Sequence, residues 1–136
     1  MAKTFHLDII ASDRVFYQGE CEHLVVTAID GQLGILPGHE ALVTSLPTGE
    51  LKYCVNGKWH NAAISEGFME VMPEFAVILA DHCELPEEID IKRAEAARQR
   101  AEELLRGKQS IMEYYHTQAA LNRAINRLKL SQKKFK

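Results

Sequence analysis

The chain has no long hydrophobic run and no paired cysteines. No apolar stretch approaches the ~18 residues of a membrane-spanning helix, so the sequence is not that of an α-helical membrane protein. The three cysteines, Cys21, Cys54 and Cys83, lie far apart and form no CxxC pair. That spacing argues against a disulfide framework or a zinc knuckle and favours a reducing compartment. With 136 residues, we expect one domain, or one small domain with an appendage.

Motifs of catalysis and of nucleotide hydrolysis are also missing. GxxxxGK[ST], GxGxxG, GxSxG and HExxH do not occur. His39 and Glu40 have the residue types of an acid–base pair. Adjacent residues of a strand point to opposite faces, however, so these two side chains would not converge on one substrate. The run Asp81-His82-Cys83-Glu84 is rich in metal-ligand types, yet contiguous residues rarely close one coordination sphere. We therefore predict no catalytic residue and no metal site.

Charge is distributed unevenly along the chain. Residues 1–86 carry 12 acidic and 4 basic groups, whereas residues 87–136 carry 7 acidic and 12 basic groups. No acid follows Glu113, and the cations after it are Arg123, Arg127, Lys129, Lys133, Lys134 and Lys136. Two parts of opposite charge indicate two functions, and the basic part suits either nucleic acid or an acidic protein surface. Few aromatic residues accompany these cations, and no RNP-type motif is present.

The first part of the chain has the period of two that is typical of β-strands. Phe5, Leu7 and Ile9 alternate with polar residues, and further short β-rich runs follow, separated by turn signals. Asn56-Gly57 lies between two such runs and predicts a hairpin, because a type I′ turn needs positive φ at both central positions. Many short strands without an intervening helix predict a β-sandwich or a flattened barrel.

After residue 86 the period becomes helical. Asp90 is predicted to cap a first helix and Gly107 to end it in the left-handed conformation, while Ser110 and Glu113 match a capping box that opens a second helix. The predicted buried stripes are Ala94, Ala97, Ala101, Leu104 and Leu105, then Tyr114, Leu121, Ala124, Ile125 and Leu128. The short connection predicts an antiparallel hairpin, and its alanine-rich contact buries little apolar area. A mobile hairpin and one permanently packed on the sandwich both remain open.

Residues 31–40, GQLGILPGHE, contain three glycines and a proline. A phosphate loop, a catalytic corner or a rigid turn offered to another protein would each use such residues. The glycine spacing fits no phosphate-binding motif, and Pro37-Gly38 suits the centre of a type II turn. The residues therefore favour the rigid turn.

Three stretches closely resemble the epsilon subunit of bacterial F-type ATP synthases, namely GQLGILPGHEALVTSL (31–46), SEGFMEVMPEFAVILAD (65–81) and IDIKRAEAARQRAEELL (89–105). The resemblance implies an α+β architecture, with a ten-stranded antiparallel β-sandwich over residues 1–86 and an antiparallel two-helix hairpin over residues 87–136. It also implies a non-catalytic subunit of the central rotor stalk that binds the gamma subunit and the c-ring. The hairpin would reach the catalytic alpha and beta subunits when it extends, and would then restrain ATP hydrolysis.

The same resemblance implies a peripheral position at the cytoplasmic face of a bacterial membrane. It implies no required cofactor and no nucleic-acid partner, with ATP as a regulatory ligand. The residues taken alone leave one alternative open, a stand-alone β-sandwich adaptor whose basic hairpin binds nucleic acid.

In this family, the loop that corresponds to residues 31–40 meets the c-ring, which implies contacts by Gln32, His39 and Glu40. Many relatives have an acid at the position of Gln32, so one charge pair with the ring is expected to be missing here. Glu66 stands in Ser65-Glu66-Gly67, where relatives often have Gly-Gly, and it adds bulk and charge at a tight place in the chain.

The run IDIKRA (89–94) matches the I/L-D-x-x-R-A pattern that binds ATP in some epsilon subunits. Carried over position by position, the implied nucleotide-binding residues are Glu84, Ile89, Asp90, Arg93, Ala94, Arg100, Arg123 and Arg127. The two arginines of the first helix are seven residues apart and share one face, and those of the second are one turn apart. All four could converge on a triphosphate across the hairpin. The alternative is that Asp90 only caps the helix and the second arginine pair binds acidic partner segments.

Overall fold

The computed structural model describes residues 3–107 and 110–132. The chain divides into two compact units, Met1–Leu85 and Pro86–Lys136. The described residues contain ten β-strands, one 3₁₀ turn and two α-helices, which confirms the predicted order of a β-domain followed by a helical hairpin. The last predicted cations, Lys133, Lys134 and Lys136, lie outside the described residues.

The first unit consists of two five-stranded sheets. The first sheet contains β1 (Phe5–Ala11), β2 (Val15–Cys21), β5 (Leu42–Leu46), β8 (Gly67–Met72) and β9 (Phe75–Ala80) in the order β2-β1-β9-β8-β5. The second contains β3 (His23–Ala28), β4 (Gly31–Ile35), β6 (Gly49–Val55), β7 (Lys58–Ile64) and β10 (Cys83–Glu84) in the order β10-β7-β6-β3-β4. The strand pairs are antiparallel as predicted, with one exception: β1 runs parallel to β9. A parallel pair needs a long connection, and here seven strands lie between the two in the chain.

The core of the sandwich lies between the inner faces of the two sheets. In β1 the alternation is complete: Phe5, Leu7, Ile9 and Ala11 are buried, and the residues between them are half-buried. The three cysteines are buried free thiols. Tyr53 is buried with its ring stacked on His60, and burial raises the pKa of its phenol to about 12.

Two predicted turns are confirmed. Asn56 and Gly57 have φ of 52° and 77°, as a type I′ hairpin turn requires. Gly38 has φ of 82° and the N–H of His39 donates to the carbonyl of Leu36 at 3.2 Å, as in a type II turn. However, residues 31–40 are not one loop, because Gly31–Ile35 is strand β4, paired with β3. Glycine has low β-propensity, so this strand was not predicted, and pairing with β3 stabilises it.

The second unit begins with a 3₁₀ turn (Pro86–Glu88), followed by α1 (Ile91–Arg106) and α2 (Ile111–Ser131), which pack against each other. Because the 3₁₀ turn also contacts α2, the end of α2 lies beside the start of α1, and the hairpin is antiparallel. The side chain of Ser110 accepts from the N–H of Glu113 at 3.2 Å, so the predicted cap of α2 is confirmed. The left-handed end at Gly107 was wrong, because this residue is extended, with φ of −88° and ψ of 168°.

The contact between the helices differs in part from the predicted stripes. On α1, Ala94 and Ala101 are buried as predicted, but Leu104 is 60% exposed because Leu105 takes the place nearer the contact. On α2, Ala124 is buried together with Thr117, Leu130 and Ser131, whereas Tyr114 is exposed. Thr117 and Ser131 are small and donate their hydroxyls to carbonyls of their own helix, at 2.8 Å each, so they fit beside alanine without an unsatisfied group. Hydropathy alone ranks them as surface residues.

Candidate functional site

The IDxxRA run forms the start of α1. A carboxylate oxygen of Asp90 accepts from the backbone N–H of Arg93 at 3.0 Å, which confirms the predicted cap. The carbonyl of Asp90 accepts from the N–H of Ala94 at 2.9 Å. Ile89 and Ala94 are buried, whereas Asp90 and Arg93 are exposed. The buried residues of the run fix the helix end, and the polar ones are presented to solvent.

The arginines of α1 fall into two groups. Arg98 forms ion pairs with Glu95 and with Glu102, the second at 4.0 Å. Arg93 and Arg100 are exposed, share one helix face and, within residues 3–107 and 110–132, pair with no carboxylate. Only the second group offers positive charge that no carboxylate of the described chain compensates.

The arginines of α2 lie beside the buried contact. Arg123 and Arg127 are half-buried, one turn apart, on the same side of Ala124. Residues at equal distance from the connection lie level in an antiparallel hairpin, which places Ala94 opposite Ala124 and Arg93 level with the two arginines of α2.

Helix handedness then decides on which side of the hairpin each pair lies. Around the axis of α1, Arg93 and Arg100 each lie about 100° from a buried alanine, on the side opposite to the sense of rotation. Around the axis of α2, Arg123 and Arg127 lie about 100° and about 60° from Ala124, both on the side opposite to the sense of rotation. Since α2 runs antiparallel to α1, this side faces the same edge of the hairpin as Arg93 and Arg100. The predicted convergence of the two pairs is therefore compatible with the hairpin geometry. We call these four residues the arginine edge.

The last of the implied nucleotide-binding residues belongs to the other unit. Glu84 is half-buried on β10, where it pairs with Ala63 of β7. In the described part of the chain, no three His, Cys, Asp or Glu residues come together as a metal site. No described helix is long and apolar enough to cross a membrane.

The three residues expected to contact the c-ring do not lie together. Gln32 pairs with Thr27 and lies beside the β3–β4 turn, at one end of the sandwich. His39 and Glu40 lie in the turn after β4, at the opposite end, where the N–H of Gly38 donates to the carbonyl of Pro73 at 2.9 Å. The prediction of one shared contact loop was wrong, because strand β4 separates its two halves.

An exposed apolar row on the first sheet was not predicted. Val15, Ile10, Leu79 and Phe68 are in register across β2, β1, β9 and β8, on the face that points away from the core. Val15, Leu79 and Phe68 are 56%, 51% and 62% exposed. The signal was present in β9, whose sequence FAVILA is apolar on both faces, whereas a strand with one face in water normally alternates. We call these four residues the apolar row.

Comparison with known proteins places both units in one family. The family described as "ATP synthase, Delta/Epsilon chain, beta-sandwich domain" matches residues 4–86, and "ATP synthase, Delta/Epsilon chain, long alpha-helix domain" matches residues 87–132. The ATP synthase epsilon chain of Caldanaerobacter subterraneus subsp. tengcongensis is 48% identical over 134 residues, which cover 98% of this chain and 97% of the relative. That of Ruminiclostridium cellulolyticum is 46% identical over 125 residues, with 92% and 93% covered.

A solved structure shares the fold. One chain in the cryo-EM structure of the Euglena gracilis mitochondrial ATP synthase, OSCP/F1/c-ring, superposes with a TM-score of 0.75 at 24% identity, and covers 88% of this chain and 76% of that chain. The order of the two units, the sheet arrangement and the similarity along nearly the whole length agree with one another. The chain belongs to the epsilon-subunit family of ATP synthases.

Proposed function

We propose that this chain is a non-catalytic subunit of the central rotor stalk of a bacterial F-type ATP synthase, at the cytoplasmic face of the membrane. It couples proton-driven rotation to ATP synthesis by binding the gamma subunit and the c-ring. Its hairpin restrains ATP hydrolysis when it extends to the alpha and beta subunits. ATP acts as a regulatory ligand of the folded hairpin, and no cofactor is required.

The observation that carries this proposal is the apolar row. Three large side chains, Val15, Leu79 and Phe68, are more than half exposed and contiguous with Ile10. A contiguous apolar surface of this kind is typical of a face that another protein covers. In a family of rotor subunits, the gamma subunit is the partner that such a face suits.

Binding to gamma tests this assignment. Leu79→Asp places a charge in the middle of the apolar row and should weaken binding of the full chain to purified gamma at least about tenfold, because a buried unpaired charge is costly. Leu104→Asp introduces the same charge at an equally exposed leucine of the hairpin and serves as the control. Equal affinities of both variants and the unchanged chain would contradict docking through the apolar row.

The hairpin has the properties that a movable element needs. Its helices contact each other mainly through small side chains, since Ala94 and Ala101 are the buried residues of α1. Such a contact buries little apolar area, so it contributes little free energy toward keeping the helices together. The basic side chains of α2 would then bind an acidic segment of the catalytic head, and the contact would weaken with salt.

Deletion of the hairpin tests the regulatory role. In the assembled enzyme, truncation before Asp90 should raise the rate of ATP hydrolysis, because the restraining element is gone. Assembly and proton-driven ATP synthesis should persist, since the sandwich carries the contacts to the rotor. An unchanged hydrolysis rate would rule out inhibition by this hairpin.

The arginine edge supports ATP as the regulatory ligand. Arginine binds phosphate oxygens through a planar fork of donors, and four guanidinium groups at one edge suit a triphosphate. The Asp90 carboxylate already accepts from the N–H of Arg93, so we assign it to fixing the first turn of α1. ATP would stabilise the folded hairpin only through its higher affinity for that state.

Calorimetric titration with ATP, and then with ADP, tests the nucleotide site. We expect saturable binding that favours ATP and that falls at least about a hundredfold in Arg123→Ala/Arg127→Ala, because two charge-assisted contacts are lost. The matched control is Arg106→Ala/Lys129→Ala, which removes the same charge from exposed positions outside the arginine edge. Equal losses of ATP affinity in both double variants would mean that ATP binds by general electrostatic attraction and not at the arginine edge.

The contact with the c-ring has two candidate locations. Gln32 lies at one end of the sandwich, and His39 with Glu40 at the other. One rigid ring surface is not expected to cover both ends of a sandwich at the same time. Substitution at either end, with affinity for the ring as the readout, decides between them.

A further inference from the structure

A surface pocket lies at the end of the sandwich that also carries Gln32. Its volume is about 340 Å³. It lies between the β3–β4, β5–β6 and β7–β8 connections and is lined by Ile29, Ser45, Leu46, Pro47, Glu66, Gly67 and Phe68. These residues come from both sheets, so no local sequence pattern could predict the pocket.

The walls of the pocket are apolar and exposed. Ile29 is 79% exposed at the tip of its turn, and Phe68 stands at the end of the apolar row. Leu46 is buried beneath them. An isoleucine and a phenylalanine held in water around a concavity are typical of a surface that receives a partner's side chain.

Glu66 is the charged residue of the pocket lining. It is exposed, and its backbone carbonyl accepts from the N–H of Asp81 at 3.0 Å. Within the described residues, no side chain forms an ion pair with the Glu66 carboxylate. The extra bulk and charge that the sequence predicted at this position are therefore exposed at the pocket.

Other turns at this end of the sandwich are also acidic. Asp13, Asp30 and Asp81 are exposed on connections at this same end of the sandwich. The basic residue among these connections, Arg14, donates from its guanidinium to the carbonyl of Cys83 at 2.9 Å. The end as a whole therefore has a negative potential, which favours a positively charged partner.

We propose that this pocket seats an arginine or lysine side chain of the c-ring, with its aliphatic stem against Ile29 and Phe68 and its cation at Glu66. This inference rests on the proposed rotor function and adds the end of the sandwich that docks and the chemistry that it recognises. Long basic side chains bury their stems on apolar surface while the charge remains at a polar rim, which is the arrangement that this pocket offers. Glu66 thereby supplies the acid that Gln32 lacks.

The test is binding of the full-length chain to purified c-ring with gamma attached, measured at several salt concentrations. Glu66→Gln keeps the shape and removes the charge, so we expect affinity to fall about three- to fivefold at low salt and the salt dependence to become shallower. Glu74→Gln makes the same change at an exposed position of the opposite end and should leave both quantities unchanged.

A second variant tests the apolar wall independently of charge. Ile29→Ala should weaken binding about fivefold without changing the salt dependence, because it removes contact area and no charge. Fluorescence of Trp59 and far-UV circular dichroism establish that each variant is folded before its affinity is compared.

The outcomes separate the pocket from the wider proposal. If the unchanged chain binds the rotor and Glu66→Gln binds equally well, the pocket assignment is wrong and the rotor function stands. Loss of binding in His39→Ala/Glu40→Gln, with Glu66→Gln unaffected, would move the ring contact to the other end and also overturn it. If the unchanged chain does not bind the rotor at all, the proposed function fails and the pocket assignment fails with it.

Discussion

Gly67 should be sensitive to any added side chain, because backbone of the neighbouring strand lies against it. A Cβ added at this position would lie 2.1 Å from the carbonyl oxygen of Leu79 and 2.9 Å from the Cα of Ala80. Both are backbone atoms of β9, the strand that pairs with β8 through Gly67 and Ala80. They cannot move away without opening the ladder between two central strands of the first sheet.

The expected change in the free energy of unfolding follows from two opposing contributions. Overpacking of a well-filled site destabilises by about 1–3 kcal/mol, and a clash with backbone belongs at the upper end of that range. Reduced freedom of the unfolded chain offsets about 0.4–1 kcal/mol of this cost. We therefore expect Gly67→Ala to lower the free energy of unfolding of the sandwich by about 2 kcal/mol.

Urea unfolding followed by tryptophan fluorescence measures this change. Trp59 is the single tryptophan and lies on β7, so its emission reports the sandwich and not the hairpin. With an m-value of about 1 kcal/mol/M, the midpoint should fall by about 2 M. The control is Gly34→Ala in β4, where the nearest atom to the added Cβ is a ring nitrogen of His23 at 3.4 Å. Equal midpoints for the two variants would refute the steric argument.

Three further changes test the local interactions described above. Burial raises the Tyr53 pKa from 10.0 to about 12, so the folded chain keeps a proton that the unfolded chain loses. Stability should therefore fall by about 1 kcal/mol between about pH 9 and pH 11 relative to Tyr53→Phe, in urea titrations. Asp90→Ala should destabilise the hairpin by about 1 kcal/mol in far-UV thermal melts, whereas Asp90→Asn, which also caps, should not. Gly107→Ala should stabilise it by about 0.4–1 kcal/mol, because the backbone is extended and the nearest atom is at 3.6 Å.

Each of these changes has a result that would contradict it. The same stability difference between the unchanged chain and Tyr53→Phe at both pH values would mean that the phenol is not perturbed by burial. Equal melting of Asp90→Ala and Asp90→Asn would exclude the cap as the source of any effect. Marked destabilisation by Gly107→Ala would indicate that Gly107 has the left-handed conformation that the sequence predicted.

Local chemistry was predictable where one or two residues determine the backbone. Asn56-Gly57 and Pro37-Gly38 form the expected turns because proline and glycine restrict or extend φ directly. Asp90 and Ser110 cap their helices for an equally local reason. Such signals need no knowledge of the rest of the chain.

Strand β4 could not be predicted in the same way. Two of its five residues are glycines, which have low β-propensity, and its stability comes from pairing with β3. Once β4 is a strand, Gln32 and His39 lie at opposite ends of the sandwich. Two residues that are close in sequence thus belong to different surfaces, and the joint assignment of both to one contact loop failed for this reason.

The pocket is the converse case, because it joins residues that are distant in sequence. Ile29, Pro47 and Glu66 meet at one end because β3, β5 and β7 all end there, which depends on the register of both sheets. Glu66 was recognisable as unusual, but its surroundings were not. Sheet topology decides which loops share an end, and no window of sequence contains that information.

The arginines of α1 show how a site is selected from residues of equal chemistry. Arg98 is as basic as Arg93 and Arg100, but it lies on the other edge of the helix, between Glu95 and Glu102. An anion that approached Arg98 would have to displace two carboxylates, whereas Arg93 and Arg100 pair with no carboxylate of the described residues. The small side chains at the helix contact also bring the two backbones close, and larger residues there would move the arginine pairs apart. A weakly held hairpin and a compact cationic edge are therefore two consequences of the same alanines.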